Sequence, residues 1–252
     1  MATRMTRREL QGPDKFQEEA SSVFDWAHDH PREVAVGGVA LLAIIVAIGL
    51  IFGGDSDGVD SQAGSDLAEA LELVDRPVGG EAAPGGEAPF ATEKEKQEAI
   101  AAALEKVRSE HAGTSTAVAA TLPLADARYK LGQYDQALAL YEEYLEKAPK
   151  DAQLRFLALE GRAQTLQALG RNDEALQAWD RLAAEAPAYE DRALYGKGLL
   201  LEELQRWDDA RAAYQKVRDE HADGAIARLA AERLGELDRT HPPAAAAAEE
   251  GR

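Results

Sequence analysis

The chain has no cysteine, and aromatic residues make up only 6% of its 252 positions. The first absence excludes disulfides, thiolate zinc sites and cysteine nucleophiles together. The second leaves few strand formers, and the alanine, leucine and glutamate that replace them favour helix. Basic residues are short as well: 28 lysines and arginines stand against 46 acids, a formal net charge of −18. Such a surface repels phosphate backbones, so no nucleic-acid partner is expected. No phosphate-binding glycine loop and no HExxH occurs. The chain therefore reads as a non-enzyme, with no catalytic residue, no cofactor, no metal and no small-molecule substrate.

What the chain does have is one long stretch without charge. Val34 to Gly54 (VAVGGVALLAIIVAIGLIFGG) is 21 residues bounded abruptly by Glu33 and Asp55. At about 1.5 Å per residue it reaches roughly 31 Å, the depth of a bilayer core. A soluble core helix rarely carries so long an apolar run. A cleaved signal fits less well, because 33 residues precede the run and no small-x-small site follows closely. Lysine and arginine set the orientation. Arg4, Arg7, Arg8, Lys15 and Arg32 lie before the run, and only Arg76 lies between it and Lys94. Residues 1–33 are expected in the cytoplasm, with the C-terminal part outside it, which in a Gram-negative cell is the periplasm.

Within 1–33, Pro13 and Asp14 suit a helix start, and Phe16, Ala20, Val23, Phe24 and Ala27 share one face. This predicts a short amphipathic helix on the inner leaflet. His28 and His30 have no further ligand nearby and read as solvated. Residues 55–91 form an acidic, glycine-rich linker with nine acids and one arginine. Inside it, Ser65–Asp75 places Leu67, Ala70, Leu71 and Val74 on one helical face, a helix that either packs on the repeats or stays loose. Arg76–Pro89 reads as a flexible spacer, and residues 241–252 read as a disordered tail.

Self-similarity organises residues 92–240. LGQYDQALALYEEYLEKAP (Leu131–Pro149) aligns with LGRNDEALQAWDRLAAEAP (Leu169–Pro187) and LQRWDDARAAYQKVRDEHA (Leu204–Ala222). Gly132, Gly170 and Gln205 coincide, spaced by 38 and 35 residues, as do Ala137, Ala175 and Ala210, and Tyr141, Trp179 and Tyr214. The small residue lets two helices approach, the aromatic one turn on fills the gap toward the next unit, and Pro149 and Pro187 end the second helices. Expected pairs are Thr114–Leu131 with Tyr134–Lys147, Ala152–Leu169 with Asn172–Ala186, and Tyr189–Leu204 with Trp207–His221. Pro123 should kink the first of these helices or delay its start. Lys96–Thr114 matches a second helix without a partner, opened by a Thr92/Glu95 capping box. Ala225–Leu237, with Ile226, Leu229, Ala230 and Leu234 on one face, reads as a closing helix. About seven helices are expected from Thr92 to Leu237. His111 and His221 fall at equivalent ends of second helices and read as structural. The acid pairs Glu142–Glu143, Glu202–Glu203 and Asp208–Asp209 read as solvated faces.

This pattern resembles the tetratricopeptide repeat. The resemblance implies an all-α protein: one N-terminal transmembrane helix, then a right-handed solenoid of helical hairpins that binds other proteins. The whole layout is similar to that of the family of the ancillary subunit of the Sec translocon. That resemblance implies a scaffold at the bacterial inner membrane that assists protein export or recruits periplasmic chaperones. The alternatives are a self-assembling structural or envelope-assembly protein and an anchored enzyme with an unrecognised site. In tetratricopeptide stacks the first helices line the partner groove. Carried over by alignment, this places there Asp126, Tyr129 and Lys130 from the first unit, Glu160, Gln164 and Gln167 from the second, and Tyr195, Leu199 and Glu202 from the third. The mixture suits an extended segment carrying basic residues rather than a C-terminal carboxylate.

Overall fold

In a computed structural model, residues 61–80 and 88–243 are described. They contain nine α-helices: α1 (Ser61–Asp75), α2 (Glu93–Glu110), α3 (Ser115–Lys130), α4 (Tyr134–Lys147), α5 (Arg155–Ala168), α6 (Asn172–Glu185), α7 (Glu190–Glu203), α8 (Trp207–Glu220) and α9 (Ala225–Thr240). A 3₁₀ turn at Pro187–Tyr189 leads into α7. Among the described residues there is no strand, only an isolated bridge between Val78 and Phe90. Each helix packs on its neighbours in the chain, and first helices of successive pairs also touch. That is the contact pattern of a solenoid. Between Glu93 and Thr240 there are eight α-helices, against an expected total of about seven. The expected membrane span at 34–54, the juxtamembrane helix and the tail beyond residue 243 lie outside the described residues. No described helix is long and apolar enough to cross a membrane.

Local chemistry explains the boundaries. The Thr92 and Thr114 hydroxyls accept from Glu95 N and Ala117 N, each at 3.1 Å, and cap α2 and α3. The Glu95 carboxylate reaches back to Ala91 N at 2.9 Å, one residue earlier than the capping box implies. The turns inside the three full pairs run through left-handed residues: Gly132 (φ 72°), Gly170 (φ 71°) and Gln205 (φ 57°). After each, an N–H returns to a carbonyl five residues back: Gln133 to Arg128, Arg171 to Leu166, and Arg206 to Leu201. This motif satisfies the last carbonyls of a helix and turns the chain at once. Pro123 does not delay α3, which begins at Ser115 with its own threonine cap and carries the proline buried inside. The proline removes one N–H from the helix and nothing more of its extent.

The repeat positions form the core. Ala137, Ala175 and Ala210 are fully buried, and Tyr141, Trp179 and Tyr214 are at most 4% exposed. Each ring lies on a glycine. A β-carbon on Gly161 would sit 2.3 Å from Tyr141, one on Gly196 2.6 Å from Trp179, and one on Gly198 2.4 Å from Tyr214. Tyr141 and Trp179 thus reach the first helix of the next pair, as expected. Tyr214 lies instead on α7 of its own pair and joins Leu201, Val217, Ala227, Ala230 and Leu234 in one cluster under α9. The buried Arg211 fastens that end, donating to Asp238 (2.7 Å) and to the His241 carbonyl (2.5 Å), while Trp207 stacks on His241 at 3.8 Å.

The half-copy at the other end has a partner after all. The helix expected at Ser65–Asp75 extends back to Ser61, buries Ala63, Leu67, Ala70 and Leu71, and packs on α2. The spacer read at 76–89 is tied down where it is described. Gly79 N donates to Phe90 O and Phe90 N to Pro77 O, both at 2.9 Å, and Arg76 sits 4.4 Å from the centre of the buried Phe90 ring.

Candidate partner groove

The nine groove residues sit on α3, α5 and α7, the first helices of the three full pairs. Spacing of three and four keeps each set on one helix face. On α3, Asp126 pairs with Lys130 at 2.9 Å, and the Tyr129 ring lies 5.3 Å from Tyr134, tilted by 57°. On α5, Glu160 accepts from Arg192 of α7 at 2.8 Å, and Gln167 donates to Glu203 of α7 at 2.7 Å. On α7, the Tyr195 ring stands 5.7 Å from Tyr214, and Glu202 accepts from the Tyr214 hydroxyl at 2.6 Å and from Arg233 of α9. Tyr129, Tyr195 and Leu199 are half-buried, and Gln164 is exposed.

Two centres emerge from this arrangement. The first brings Asp126, Tyr129 and Glu160 around Tyr141. Burial foremost, then the charges of Asp126 and Glu160, push the Tyr141 phenol well above its ordinary value. Burial likewise raises the Asp126 carboxyl, and Lys130 only partly offsets it. The second centre brings Tyr195 and Glu202 together with Tyr214 and Arg233. Burial and then the bond to Glu202 raise the Tyr214 phenol. Gln164, Gln167 and Leu199 join neither centre. The alignment missed Tyr141, Arg192, Tyr214 and Arg233, which come from second helices, the start of α7 and the closing helix. A signal for two of them was present: positions 141 and 214 carry tyrosine, whose hydroxyl is superfluous to packing alone.

The electrostatics differ from the expected acidic surface. Asp126, Glu160 and Glu202 each have a cation at hydrogen-bonding distance: Lys130, Arg192 and Arg233. Two of these pairs tie one helix pair to the next element of the stack. The groove is therefore locally balanced in charge, and what it offers a partner is tyrosine faces, amides and carboxylates already holding a base.

Paired helices repeating along the chain, small residues and aromatics at fixed offsets, and first helices presenting polar side chains define the class of helical-hairpin repeat scaffolds. The chain belongs to the tetratricopeptide repeat-like domain family, whose profile matches residues 34–238. It is also similar to a tetratricopeptide repeat protein of known structure from Parabacteroides merdae, with a TM-score of 0.52 and 21% identity over 70% of this chain. At that identity the likeness speaks for the fold, and the match spans 60% of the other chain's length. No curated protein matches the chain. The fold class works as a scaffold for protein–protein contacts and is typically non-enzymatic.

Proposed function

We propose that this protein is a single-pass membrane scaffold, with residues 1–33 in the cytoplasm, 34–54 in the bilayer, 55–91 as a linker, 92–240 as an extracytoplasmic repeat domain and 241–252 as a tail. The observation that carries the reading is the continuity between the charge-free run and the repeats. The family match begins at residue 34, the first residue of the run, and ends at 238. The lysine and arginine asymmetry across the run supports the orientation. In this reading the domain recruits envelope proteins, as the ancillary subunit of the Sec translocon does in the family whose layout it resembles. An extended segment of a partner lies along α3, α5 and α7, with tyrosine contacts to Tyr129 and Tyr195. Because the groove acids already hold bases, aromatic and amide contacts contribute more to affinity here than net charge does.

Two measurements test this. A periplasmic phosphatase fused after residue 243 is active if the orientation is right; an inactive fusion alongside a fluorescent cytoplasmic one reverses it. For the groove, Tyr129→Ala with Tyr195→Ala should strip partners from a detergent pull-down while leaving helical circular dichroism unchanged. Partners retained at wild-type level on a folded variant remove the groove from the proposal.

A further inference from the structure

The two outermost helix pairs end in nearly the same words. α2 closes with KVRSEHA (Lys106–Ala112) and α8 with KVRDEHA (Lys216–Ala222), whereas α4 and α6 run out into Ala-Pro. In both ends the histidine is the residue that stops the helix, its N–H returning to Val107 O at 3.0 Å or Val217 O at 2.9 Å. In both, the first helix of the pair brings an acid to the imidazole: Asp66 from α1, Glu190 from α7. In both, the glutamate just before the histidine completes a triad whose three donor atoms lie within 4.8 Å of one another.

We propose that each outer pair binds one divalent transition-metal ion of the zinc type, held by Asp66, Glu110 and His111 at one end and by Glu190, Glu220 and His221 at the other. One imidazole nitrogen with two carboxylates is a donor set for zinc and its neighbours rather than for calcium or magnesium, which take oxygen alone. Three protein donors leave a fourth position for water.

The second end shows the need for a ligand. His221 Nε2 is buried and makes no hydrogen bond, with Glu190 Oε2 3.5 Å away. Two donors sharing a tetrahedral zinc, with bonds of about 2.0–2.2 Å, stand roughly 3.3–3.5 Å apart, so this gap already has the right width. Glu190 accepts from Lys216 Nζ on its other oxygen, Oε1, at 2.6 Å, which leaves Oε2 for the metal. Lys216 also approaches Glu220 at 3.8 Å, a contact the ion would displace. At the first end, His111 Nε2 and Asp66 Oδ2 are directly bonded at 2.7 Å, and this bond must open by roughly 0.6–0.8 Å to admit an ion. Asp66 and Glu110 both line an open cleft between α1 and α2, which gives access. Glu110 and Glu220 are exposed, so each can swing in at little cost to packing. The ion would staple the end of a second helix to its first helix in the first and last helix pairs described.

The experiment is a calorimetric titration of zinc chloride into the chelator-treated full-length chain in detergent. Two equivalents should bind. His111→Gln or His221→Gln should each leave one, and the double variant none, with the zinc-dependent rise in Tm lost in parallel. If a histidine variant loses helical circular dichroism, the exposed Glu110→Gln and Glu220→Gln variants address the same ends, each weakening its own site by about tenfold or more. No saturable zinc, unchanged binding in these glutamine variants, or zinc retained by the folded double variant overturns the assignment. Zinc lost with one substitution only overturns it for the other end.

Discussion

The N-terminal pair α1–α2 and the three pairs after it share one architecture but not one kind of contact. In α4, α6 and α8 a buried alanine is followed one turn later by an aromatic ring seated on a glycine. In α2 the corresponding places hold Ile100 and Leu104, both buried, and α2 packs on an α1 that buries Ala63, Leu67, Ala70 and Leu71. The later pairs are held by a shape match between a flat ring and bare backbone. The first is held by aliphatic burial, which is proportional to area and tolerant of detail. The difference teaches that the repeat signature marks the interfaces between units more than the ability of two helices to pair.

The largest effect that sharpens this comparison is Trp179→Ala, expected to cost about 3–5 kcal/mol because the ring fills the seam between two pairs. Leu104→Ala should cost less, because it removes a smaller side chain and no ring seated on bare backbone. Urea unfolding of the full chain in detergent, followed by circular dichroism, measures both. Equal losses would break the comparison.

Glycine substitutions follow. Gly161→Ala should destabilise by about 1–3 kcal/mol, since the new methyl meets the Tyr141 ring and overpacking outweighs the gain in helix propensity. Gly235→Ala in α9 meets nothing within 4 Å and should stabilise by about 0.5–1 kcal/mol. A smaller loss for Gly161→Ala in a Tyr141→Leu background would identify the ring as the cause.

Next comes Gln205, the turn residue that breaks the glycine pattern yet keeps its left-handed backbone at φ 57°. Gln205→Gly should raise stability by about 0.5–1 kcal/mol, as removing the β-carbon relieves the strain of that conformation. No rise in the urea midpoint would mean that the side chain offsets its own strain.

The smallest expected effect is on acid stability. The bond to His111 foremost, then that to Gln62, holds Asp66 below its ordinary value of 3.8. An acid with a lowered folded pKa adds stability above its unfolded pKa and loses it as pH falls through the folded value. The protection factors of the α1 amides, taken against the intrinsic exchange rate at each pH, should therefore fall as the pH drops below about 3.8. In Asp66→Asn that step should be absent.

Much of this was legible because repeats state the same fact several times. Three coincident glycine, alanine and aromatic columns fix the turns, the close approaches and the helix order. The Thr92 and Thr114 caps and the closing helix followed from local chemistry in the same way. The partner of α2 was legible only as a helix that packs on the repeats or stays loose, because α1 lies beyond the 76–92 stretch and carries no repeat word. Hydrophobic periodicity gave its helix, but only tertiary packing gives it a place. Pro123 misled because an isolated proline breaks helices on average, while a well-capped, buried one need not. In the candidate groove, alignment supplied the first-helix residues. The cations that balance the acids come from 32 residues downstream at Arg192 and 31 at Arg233, and no spacing rule links them.

The closing helix has a further consequence. A hairpin stack is in principle an open polymer, since each unit presents to the next the surface it received from the last. Here chain growth is terminated chemically. Arg211 is clamped to Asp238 and the His241 carbonyl, Trp207 is covered by the imidazole of His241, and the last apolar face is spent on Ala227, Ala230 and Leu234. The stack is thereby ended on its C-terminal side. Among the described residues, a bound segment running toward the C-terminus passes α3, α5 and α7 and then meets the closing helix α9.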